Sequence, residues 1–385
     1  MSFKNCRVLD LGIITAGAAT SALLADLGAE VIKIESPTYR DPFRLWNTTP
    51  LPGEQSDLPP FFRMTNRSKL SASIDLKQPA GREAFLRLVA KSDIVVENFR
   101  RGVMERLGLG FGALRAANPD IILASISSQG EDGPDAGYAS FGSTLEAMAG
   151  MAWLTGYRGG PPVVSGIEIN YPDQVVAIFA ASMIVTAWLA RQNGAGGTHL
   201  DLSQRELTSF LCGEAFIAQG TGPRLGNSMP GIPVQDCFHA KDGVWIAVTV
   251  ENEQLAALHA LAPAASDDEA MRLAALSDWV ASRTAAESVA MLKARGIPAA
   301  PVLDGAGVLK EEGHAWTSAL QRMPDGDLVK GFPFQNESAP CTLGPPATAL
   351  GAHTADILRR IAGYSDEGIR RLLADGAIEI ADPAT

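Results

Sequence analysis

Apolar runs alternate with amphipathic stretches along the first part of the chain. The predicted strands span residues 7–12, 30–34, 93–96 and 121–126. The predicted helices span residues 19–27, 81–91 and 111–117. Strands that alternate with helices form a parallel sheet covered on both faces, so we expect a doubly wound α/β fold. Ligands of such sheets bind at the carboxyl ends of the strands.

The second half of the chain predicts further helices and a small α/β unit. The apolar run 175–190 is too short for a membrane span and is flanked by helix-like sequence, so we expect a buried helix over 174–191. A strand at HLDLS and a helix over 204–219 follow. The later predicted elements are a strand at 243–250, helices within 252–294, a strand at 299–303 and helices at 354–362 and 365–374.

Two stretches rich in Gly and Pro divide these elements, as linkers do. The predicted organisation is a large domain at 1–219, a linker at 220–233, a small α/β domain at 234–332, a second linker at 333–346 and C-terminal helices at 347–385.

Composition excludes several classes of function. The 385 residues include 43 acidic and 32 basic ones, a formal net charge of -11, and acidic chains lack the basic face that duplex nucleic acids need. The cysteines stand singly at Cys6, Cys212, Cys237 and Cys341, which predicts neither disulfides nor a metal site. With no signal-like or membrane-spanning stretch, we expect a cytoplasmic protein.

Two local patterns leave their meaning open. The first strand is followed by Gly12-Ile-Ile-Thr-Ala-Gly17, which lacks the G-x-G-x-x-G of nicotinamide-binding folds. Its small residues from Thr15 to Ala19 fit either tight strand–helix packing or the approach of a phosphate or adenine. Asp173 directly precedes the apolar helical run, where an aspartate is either a helix cap or a functional carboxylate.

Several stretches, in order, resemble class III CoA transferases. They are VLDLGIITAG with LLADLGAEVIKIESP, the block from TNRSKLSASIDLKQPAG to VVENFRRGVMERLG, LEAMAGMAWLTG, VSGIEINYPDQVVA and GAHTADILRRIAGYS. The family includes formyl-CoA, carnitine-CoA and bile-acid CoA transferases and the α-methylacyl-CoA racemases. The resemblance covers essentially the whole chain, and VVENFRRGVMERLG is its most discriminating part.

The resemblance implies an architecture. The family builds a large Rossmann-like domain from both chain ends and a small domain from the middle, and two linkers join them into an open ring. Two such rings interlock as a homodimer, so we expect this partner for the chain.

The resemblance also implies roles for individual residues. Asp173 matches the nucleophile. The matched CoA contacts are Asn98 and Phe99 along the pantetheine and adenine path, Lys77 and Arg106 at the phosphates and adenine, Ile14, Thr15 and Ala16 as backbone around the adenine, and Ile74 as an apolar contact. The family often has an Arg after the IKIE strand, whereas Ser36 stands here, with Arg40 and Arg44 as candidates for its role.

The implied reaction moves CoA from an acyl-CoA to a carboxylic acid through an aspartyl anhydride and an aspartyl-CoA thioester. It needs no tightly bound cofactor and no metal. The racemase alternative requires a second acid/base group. The racemase histidine aligns with Phe141, and a phenylalanine side chain cannot accept or donate a proton. A non-catalytic CoA-binding protein is a third alternative, which Asp173 disfavours.

Details around the acyl group are less defined. Gly226 and Gly231 are candidates for a mobile loop near the site. The aromatic side chains that either shape an acyl pocket or belong to the core are Tyr138, Phe141, Trp153 and Tyr171, and we expect Trp153 in the core. The sequence predicts neither the donor nor the acceptor.

Overall fold

A computed structural model describes residues 3–46, 58–165, 170–219, 224–310, 320–332 and 343–381. The chain divides into a larger unit of residues 1–151, 164–214 and 315–385 and a smaller unit of residues 152–163 and 215–314. Residues 220–223 and 333–342, within the two predicted linkers, lie outside the described residues. The domain boundaries inferred from the sequence remain a prediction.

The strands follow one another in chain order as β1 (Arg7–Asp10), β2 (Glu30–Glu35), β3 (Lys69–Ile74), β4 (Ile94–Glu97), β5 (Ile122–Ser127), β6 (His199–Ser203), β7 (Val234–His239), β8 (Trp245–Val250), β9 (Ala299–Pro301), β10 (Leu320–Arg322), β11 (Leu328–Lys330) and β12 (Ile378–Glu379). The larger unit contains a sheet in the order β12-β3-β2-β1-β4-β5-β6. All neighbours in it are parallel except β12, which runs antiparallel to β3.

The helices in the first half of the chain are α1 (Ala16–Asp26), α2 (Pro60–Asn66), α3 (Pro79–Val89), α4 (Val103–Arg106), α5 (Phe111–Ala117), α6 (Gly142–Met148), α7 (Met151–Leu154) and α8 (Tyr171–Gln192). Those that follow are α9 (Gln204–Leu211), α10 (Gly213–Gln219), α11 (Leu255–Leu261), α12 (Glu269–Ala281), α13 (Ala285–Lys293), α14 (Gly305–Lys310), α15 (Thr354–Arg360) and α16 (Asp366–Ala374).

Helices cover both faces of the large sheet. Leu9 and Val95 point to a core formed with α3, α5, α15 and α16, whereas their neighbours Val8 and Val96 point to a core formed with α1 and α8. Burial on both faces explains why these strands read as nearly continuous apolar runs. The prediction of an α/β fold with a large, mainly parallel sheet is confirmed.

The strand order reverses beside β1. From β1 the chain adds β2 and β3 on one side, and then returns to place β4, β5 and β6 on the other. Connections that leave in opposite directions open a crevice at the carboxyl ends of the two strands between them, which is where such sheets bind ligands. The crevice therefore lies between the ends of β1 and β4.

Helix α8 is buried along one face only. Val176, Ala180 and Ile184 lie in the core, but Ile178, Phe179 and Met183 are 41%, 39% and 43% exposed in the single chain. The expectation of a buried helix was therefore wrong for the outer face, because an all-apolar sequence does not tell which of its sides a chain covers by itself. By length and composition alone α8 is able to span a membrane, a test that core helices also pass, and 28% of its most apolar stretch is buried.

The smaller unit has its own core. Strands β7, β8 and β9 form an antiparallel sheet against which α11, α12 and α13 pack, with Val248 and Leu276 among the buried side chains. Thr284 and Glu287 form a capping box that starts α13. The stretch predicted as the strand 243–250 contains β8.

Candidate active site

The turn between β1 and α1 has a strained backbone at the crevice. Ile14 has a φ of 59°, a left-handed conformation that is costly for a β-branched residue. The side chain of Asn98, which directly follows β4, accepts from Ile13 N–H at 2.7 Å and donates to Ile13 O at 3.0 Å. Asp41 Oδ1 accepts from Ile14 N–H at 3.2 Å. Groups from both sides thus hold the turn in place.

Close packing of the strand end against the helix start requires glycine at two positions. A Cβ on Gly12 would lie 2.5 Å from the carbonyl carbon of Gly17, and a Cβ on Gly17 would lie 2.9 Å from Asn98 Oδ1. Both distances are shorter than any real carbon contact. The small residues of this turn therefore serve tight packing, one of the two meanings that the sequence left open.

A buried ion pair supports the turn from beneath. Lys33 Nζ donates to Asp41 Oδ2 at 2.9 Å and to Gly12 O, and both side chains are almost fully buried. Burial opposes the ammonium charge, but the carboxylates of Asp41, Asp10 and Glu35 overcome it and raise the pKa of Lys33. The lysine is therefore charged, and it fixes Asp41 where Ile14 needs an acceptor.

Arg40 and Arg44, the two candidates for the role of the arginine that Ser36 replaces, differ in their partners and in their exposure. The guanidinium of Arg44 binds the carboxylate of Glu35 through contacts of 2.7 to 3.0 Å, donates to Thr348 O at 3.1 Å and is buried. Arg40 is exposed and lies 3.7 Å from Glu379, a long ion pair that solvent weakens. The guanidinium of Arg44 is thus occupied by contacts within the protein, whereas that of Arg40 is exposed to solvent.

The residues matched to CoA contacts lie along the carboxyl edge. The structure brings Asn98 together with the turn that contains Ile14, Thr15 and Ala16, through the two hydrogen bonds to Ile13. Phe99 is partly buried against the core beside β4.

The other matched residues follow β3 or belong to α4. Lys77 and Arg106 are exposed, and in the described part of the chain neither forms an ion pair. Ile74, the last residue of β3, is fully buried in the core. None of these three is shown in contact with the β1–α1 turn.

Glu97 at the end of β4 is a buried acid that the sequence reasoning missed. Its Oε2 accepts from Phe99 N–H at 2.7 Å. Burial raises the pKa of Glu97 to about 7, although hydrogen bonds from Ser125 and from Phe99 N–H act in the opposite direction. Ser125 Oγ lies 2.9 Å from His199 Nε2, so a polar chain leads from Glu97 towards the edge strand β6. In the sequence, the glutamate at the end of an otherwise apolar strand was the feature that could have identified it.

Asp173 lies in the first turn of α8, at the same edge. Helix α1 starts where β1 ends, and α8 packs beside it, with the Thr20 hydroxyl donating to Ala177 O at 3.4 Å. Since α8 runs back towards the start of β6, its N-terminus is at the carboxyl edge. Burial raises the pKa of Asp173 from 3.8 to about 6, against the effect of a backbone hydrogen bond. The carboxylate is thus ionised at neutral pH and close to titration.

Two residues near Asp173 had no role in the sequence analysis. Asn170, the N-cap of α8, is left-handed with a φ of 44° and makes no side-chain cap hydrogen bond. Gly142 starts α6, and a Cβ there would lie 2.8 Å from Asn170 Oδ1 and 3.3 Å from Asp173 Oδ2. Gly142 therefore leaves the space in which the carboxamide and the carboxylate meet.

The segment before α8 is tied to α6. Glu146 is buried and accepts from Ser165 N–H at 2.7 Å and from the Ser165 hydroxyl. This contact positions α6, and with it Gly142, relative to the chain that approaches the nucleophile.

The aromatic candidates are mostly exposed. Phe141 is 77% exposed, Tyr138 is also exposed, and Tyr171 is partly buried. The expectation that Trp153 belongs to the core was wrong, because this side chain is 47% exposed and only Ala152 of the short helix α7 is buried. The guanidinium of Arg224 lies 4.9 Å from the Trp153 ring instead.

The predicted loop glycines lie in turns of the smaller unit. Gly226 and Gly231 have positive φ values of 64° and 86°, which favour glycine. Their mobility and their nearness to the site remain predictions. Among the described residues, no three His, Cys, Asp or Glu side chains are grouped to hold a metal ion.

Known proteins resemble the chain over nearly its full length. Residues 3–354 match CoA-transferase family III. The succinyl-CoA–D-citramalate CoA-transferase of Chloroflexus aurantiacus is 30% identical over 97% of both chains. The acetyl-CoA:oxalate CoA-transferase of Acetobacter aceti is 33% identical over 78% of this chain and 81% of its own.

A solved structure agrees in fold. The crystal structure of a CaiB/BaiF family protein from Brucella suis superposes with a TM-score of 0.84 at 28% identity, covering 92% of this chain and 98% of that one. Sequence and fold thus agree over the same residues that carry the turn, the crevice and Asp173. The chain belongs to CoA-transferase family III and is a CoA-transferase.

Proposed function

We propose that the protein transfers CoA from an acyl-CoA to a free carboxylic acid and that Asp173 is the nucleophile. The observation that carries this proposal is the position of the Asp173 carboxylate, at the start of α8 and at the carboxyl edge of the sheet, with a pKa raised to about 6. A carboxylate that is little solvated but still ionised at neutral pH is suited to attack a thioester.

The reaction balances without a further reactant. The Asp173 carboxylate attacks the donor thioester, forming a mixed anhydride and releasing CoA thiolate. The thiolate attacks the aspartyl carbonyl, frees the donor acid and leaves an aspartyl-CoA thioester. The acceptor carboxylate displaces the thiolate in a second anhydride, and the thiolate then takes the acceptor acyl group and regenerates Asp173.

CoA is proposed to lie along the crevice between β1 and β4. The clamped backbone of Ile14, Thr15 and Ala16 forms one wall, and Asn98 and Phe99 form the other. The solvated cations Lys77 and Arg106 are proposed for the phosphates, and Ile74 for an apolar contact, as the family suggests.

Arg40 joins the phosphate contacts in this proposal. It is the exposed arginine nearest to the position of Ser36, whereas Arg44 is held by Glu35. The acyl donors to test first are succinyl-CoA and acetyl-CoA, which the names of the relatives from Chloroflexus aurantiacus and Acetobacter aceti contain.

A second copy of the chain is proposed as the partner. Three apolar side chains of α8 are exposed, Ile178, Phe179 and Met183, and so is Phe210 on α9, a helix that packs against α8. An apolar surface of this kind marks an association site. The interlocked ring arrangement of the family is the form that we propose for the dimer, in a cytoplasmic protein.

The racemase alternative is less favoured. Its histidine aligns with Phe141, whose side chain cannot transfer a proton, and the next residue, Gly142, which approaches Asp173 Oδ2, has no side chain. Incubation of a 2-methylacyl-CoA with the protein in heavy water, without a carboxylate acceptor, tests it. Deuterium at the α-carbon would favour the racemase.

Covalent trapping tests the nucleophile. The protein is incubated with succinyl-CoA or acetyl-CoA, treated with hydroxylamine or borohydride, and the peptide that contains Asp173 is examined by mass spectrometry. We expect a modified Asp173, and no turnover in Asp173→Ala. Asp278→Ala, at an exposed position of α12, is the matched control and should keep full turnover. Turnover by Asp173→Ala without an adduct would contradict the proposal.

A further inference from the structure

We infer that the side-chain amide of Asn170 is a catalytic group, which donates a hydrogen bond to the oxyanion that forms on the Asp173 carboxyl group. The inference rests on the proposed function, since it assigns a partner to the nucleophile. Asn170 aligns with no residue for which the resemblance implied a role.

The backbone of Asn170 turns its side chain away from the usual task of an N-cap. Asparagine at this position commonly caps a helix by accepting from an amide of the first turn. Here φ is 44° and ψ is 56°, and the cap hydrogen bond is missing. Among the described residues no other group forms a hydrogen bond with the carboxamide, so none of them competes for its donors.

The carboxamide instead points to the space in front of Gly142. Asn170 Oδ1 and Asp173 Oδ2 lie 2.8 Å and 3.3 Å from the point that a Cβ on Gly142 would occupy. The two side chains therefore converge on one small volume. Rotation about the Cβ–Cγ bond of asparagine exchanges the carbonyl oxygen and the NH2 group, so the same position presents a donor.

The proposed reaction has a need for such a donor. One oxygen of Asp173 bridges the anhydride and leaves with the donor acid, while the other remains the carbonyl oxygen. That second oxygen takes a negative charge when CoA thiolate attacks the anhydride, and again when the acceptor attacks the aspartyl thioester. A fixed donor at this oxygen stabilises both tetrahedral intermediates, and hydrogen bonds in a poorly solvated site are strong.

Gly142 is part of the same arrangement. Any side chain at position 142 meets Asn170 Oδ1 at a distance below 3 Å and must displace the carboxamide. The absence of a side chain thus gives Asn170 its place beside the nucleophile. The contact at 2.8 Å disappears when the Asn170 side chain is removed, whereas the contacts at 3.3 Å with Asn170 Cα and Asp173 Oδ2 remain.

The structural alternative is that Asn170 only shapes the turn, since asparagine tolerates the left-handed region. Asn170→Gly separates the two roles, because glycine adopts this conformation without strain. We expect Asn170→Gly to fold with an unchanged denaturation midpoint and to lose kcat on the order of 100-fold, with little change in the KM for acyl-CoA. The pH midpoint of kcat should remain that of the wild type.

Two further variants sharpen the test. Asn170→Asp places a second carboxylate beside Asp173, so we expect it to shift the pH midpoint of kcat upwards. Gly142→Ala should lower kcat more in the wild-type background than in Asn170→Gly, where only the 3.3 Å contacts with Asn170 Cα and Asp173 Oδ2 remain. This non-additivity is the signature of an effect that acts through the Asn170 side chain.

Wild-type kcat in Asn170→Gly would overturn the inference. If Asn170→Gly does not fold, the Asn170→Asp midpoint decides, and an unshifted midpoint overturns the inference. Failure of the proposed function looks different. It requires turnover by Asp173→Asn, whereas a wrong role for Asn170 leaves Asp173→Asn inactive.

Discussion

Lowering the pH from about 8 to about 5 should slow CoA transfer by protonating Asp173. Burial holds the pKa of this carboxyl at about 6, above its usual 3.8, because the charged form loses solvation. Only the ionised form attacks a thioester, so activity is gained as the pH rises. An aspartate with an ordinary pKa would stay active well below pH 5.

The magnitude follows from the pKa. With a value of about 6, roughly nine tenths of Asp173 is ionised at pH 7 and roughly one tenth at pH 5. The rate of the first chemical step should therefore fall on the order of tenfold between these two pH values. Formation of the aspartyl adduct in a single turnover, measured by quenching, reports that step without interference from later ones.

The same burial has a cost in stability. A carboxyl whose folded pKa is raised stabilises the folded state fully below its unfolded pKa, and this contribution is lost as the pH rises through the folded value. The shift from 3.8 to about 6 corresponds to at most about 3 kcal/mol. Asp173→Asn should therefore be inactive but more stable than wild type at about pH 8, with the difference shrinking below about pH 6.

The assay is denaturant unfolding of both proteins at several pH values, together with the single-turnover profile. Asp278→Asn, the same substitution at an exposed position of α12, serves as the control. A rate that is flat down to about pH 4.5, or an Asp173→Asn protein no more stable at any pH, would refute the reasoning.

Four other substitutions have defined outcomes. Glu97→Gln should raise the stability above about pH 7 by up to about 3 kcal/mol in denaturant unfolding, because burial raises the pKa of Glu97 to about 7; equal stability at all pH values would contradict this. Arg44→Ala should cost about 3–5 kcal/mol by leaving the buried Glu35 unpaired, whereas Arg40→Ala should leave the unfolding midpoint unchanged and raise the KM for acyl-CoA. Gly12→Ala should destabilise the protein by about 1–3 kcal/mol, and a thermal midpoint equal to wild type would rule out the tight packing at this turn.

Periodicity was sufficient for the elements whose burial is purely apolar. Strands β1, β2, β4 and β5 appear in the sequence as apolar runs because both of their faces are covered. Strand β3 was missed, since its sequence KLSASI alternates with polar residues. Lys69 is nevertheless buried, held by Asp10 at 2.8 Å and by Ala18 O at 2.7 Å. Such a strand is recognisable only once the partners of its polar side chains are known.

The residues of the candidate site also fall into those that the sequence could identify and those that only the structure could. Asp173 and Asn98 were reached through motifs of consecutive residues, which a resemblance preserves. Glu97, Asn170 and Gly142 gain their meaning from neighbours far along the chain, such as the approach of Gly142 to Asn170. Trp153 was misplaced for a related reason, because a large aromatic residue alone does not tell whether its helix faces the core or solvent.

Helix α8 connects two properties that are usually controlled separately. Its first turn carries the reactive carboxylate, and its outer side carries the apolar residues Ile178, Phe179 and Met183. If a neighbouring subunit packs against that outer side, the position of the Asp173 carboxylate depends on the association of the subunits. Specific activity should then decline on dilution, and the concentration of the protein in the cell would itself regulate how much enzyme is competent.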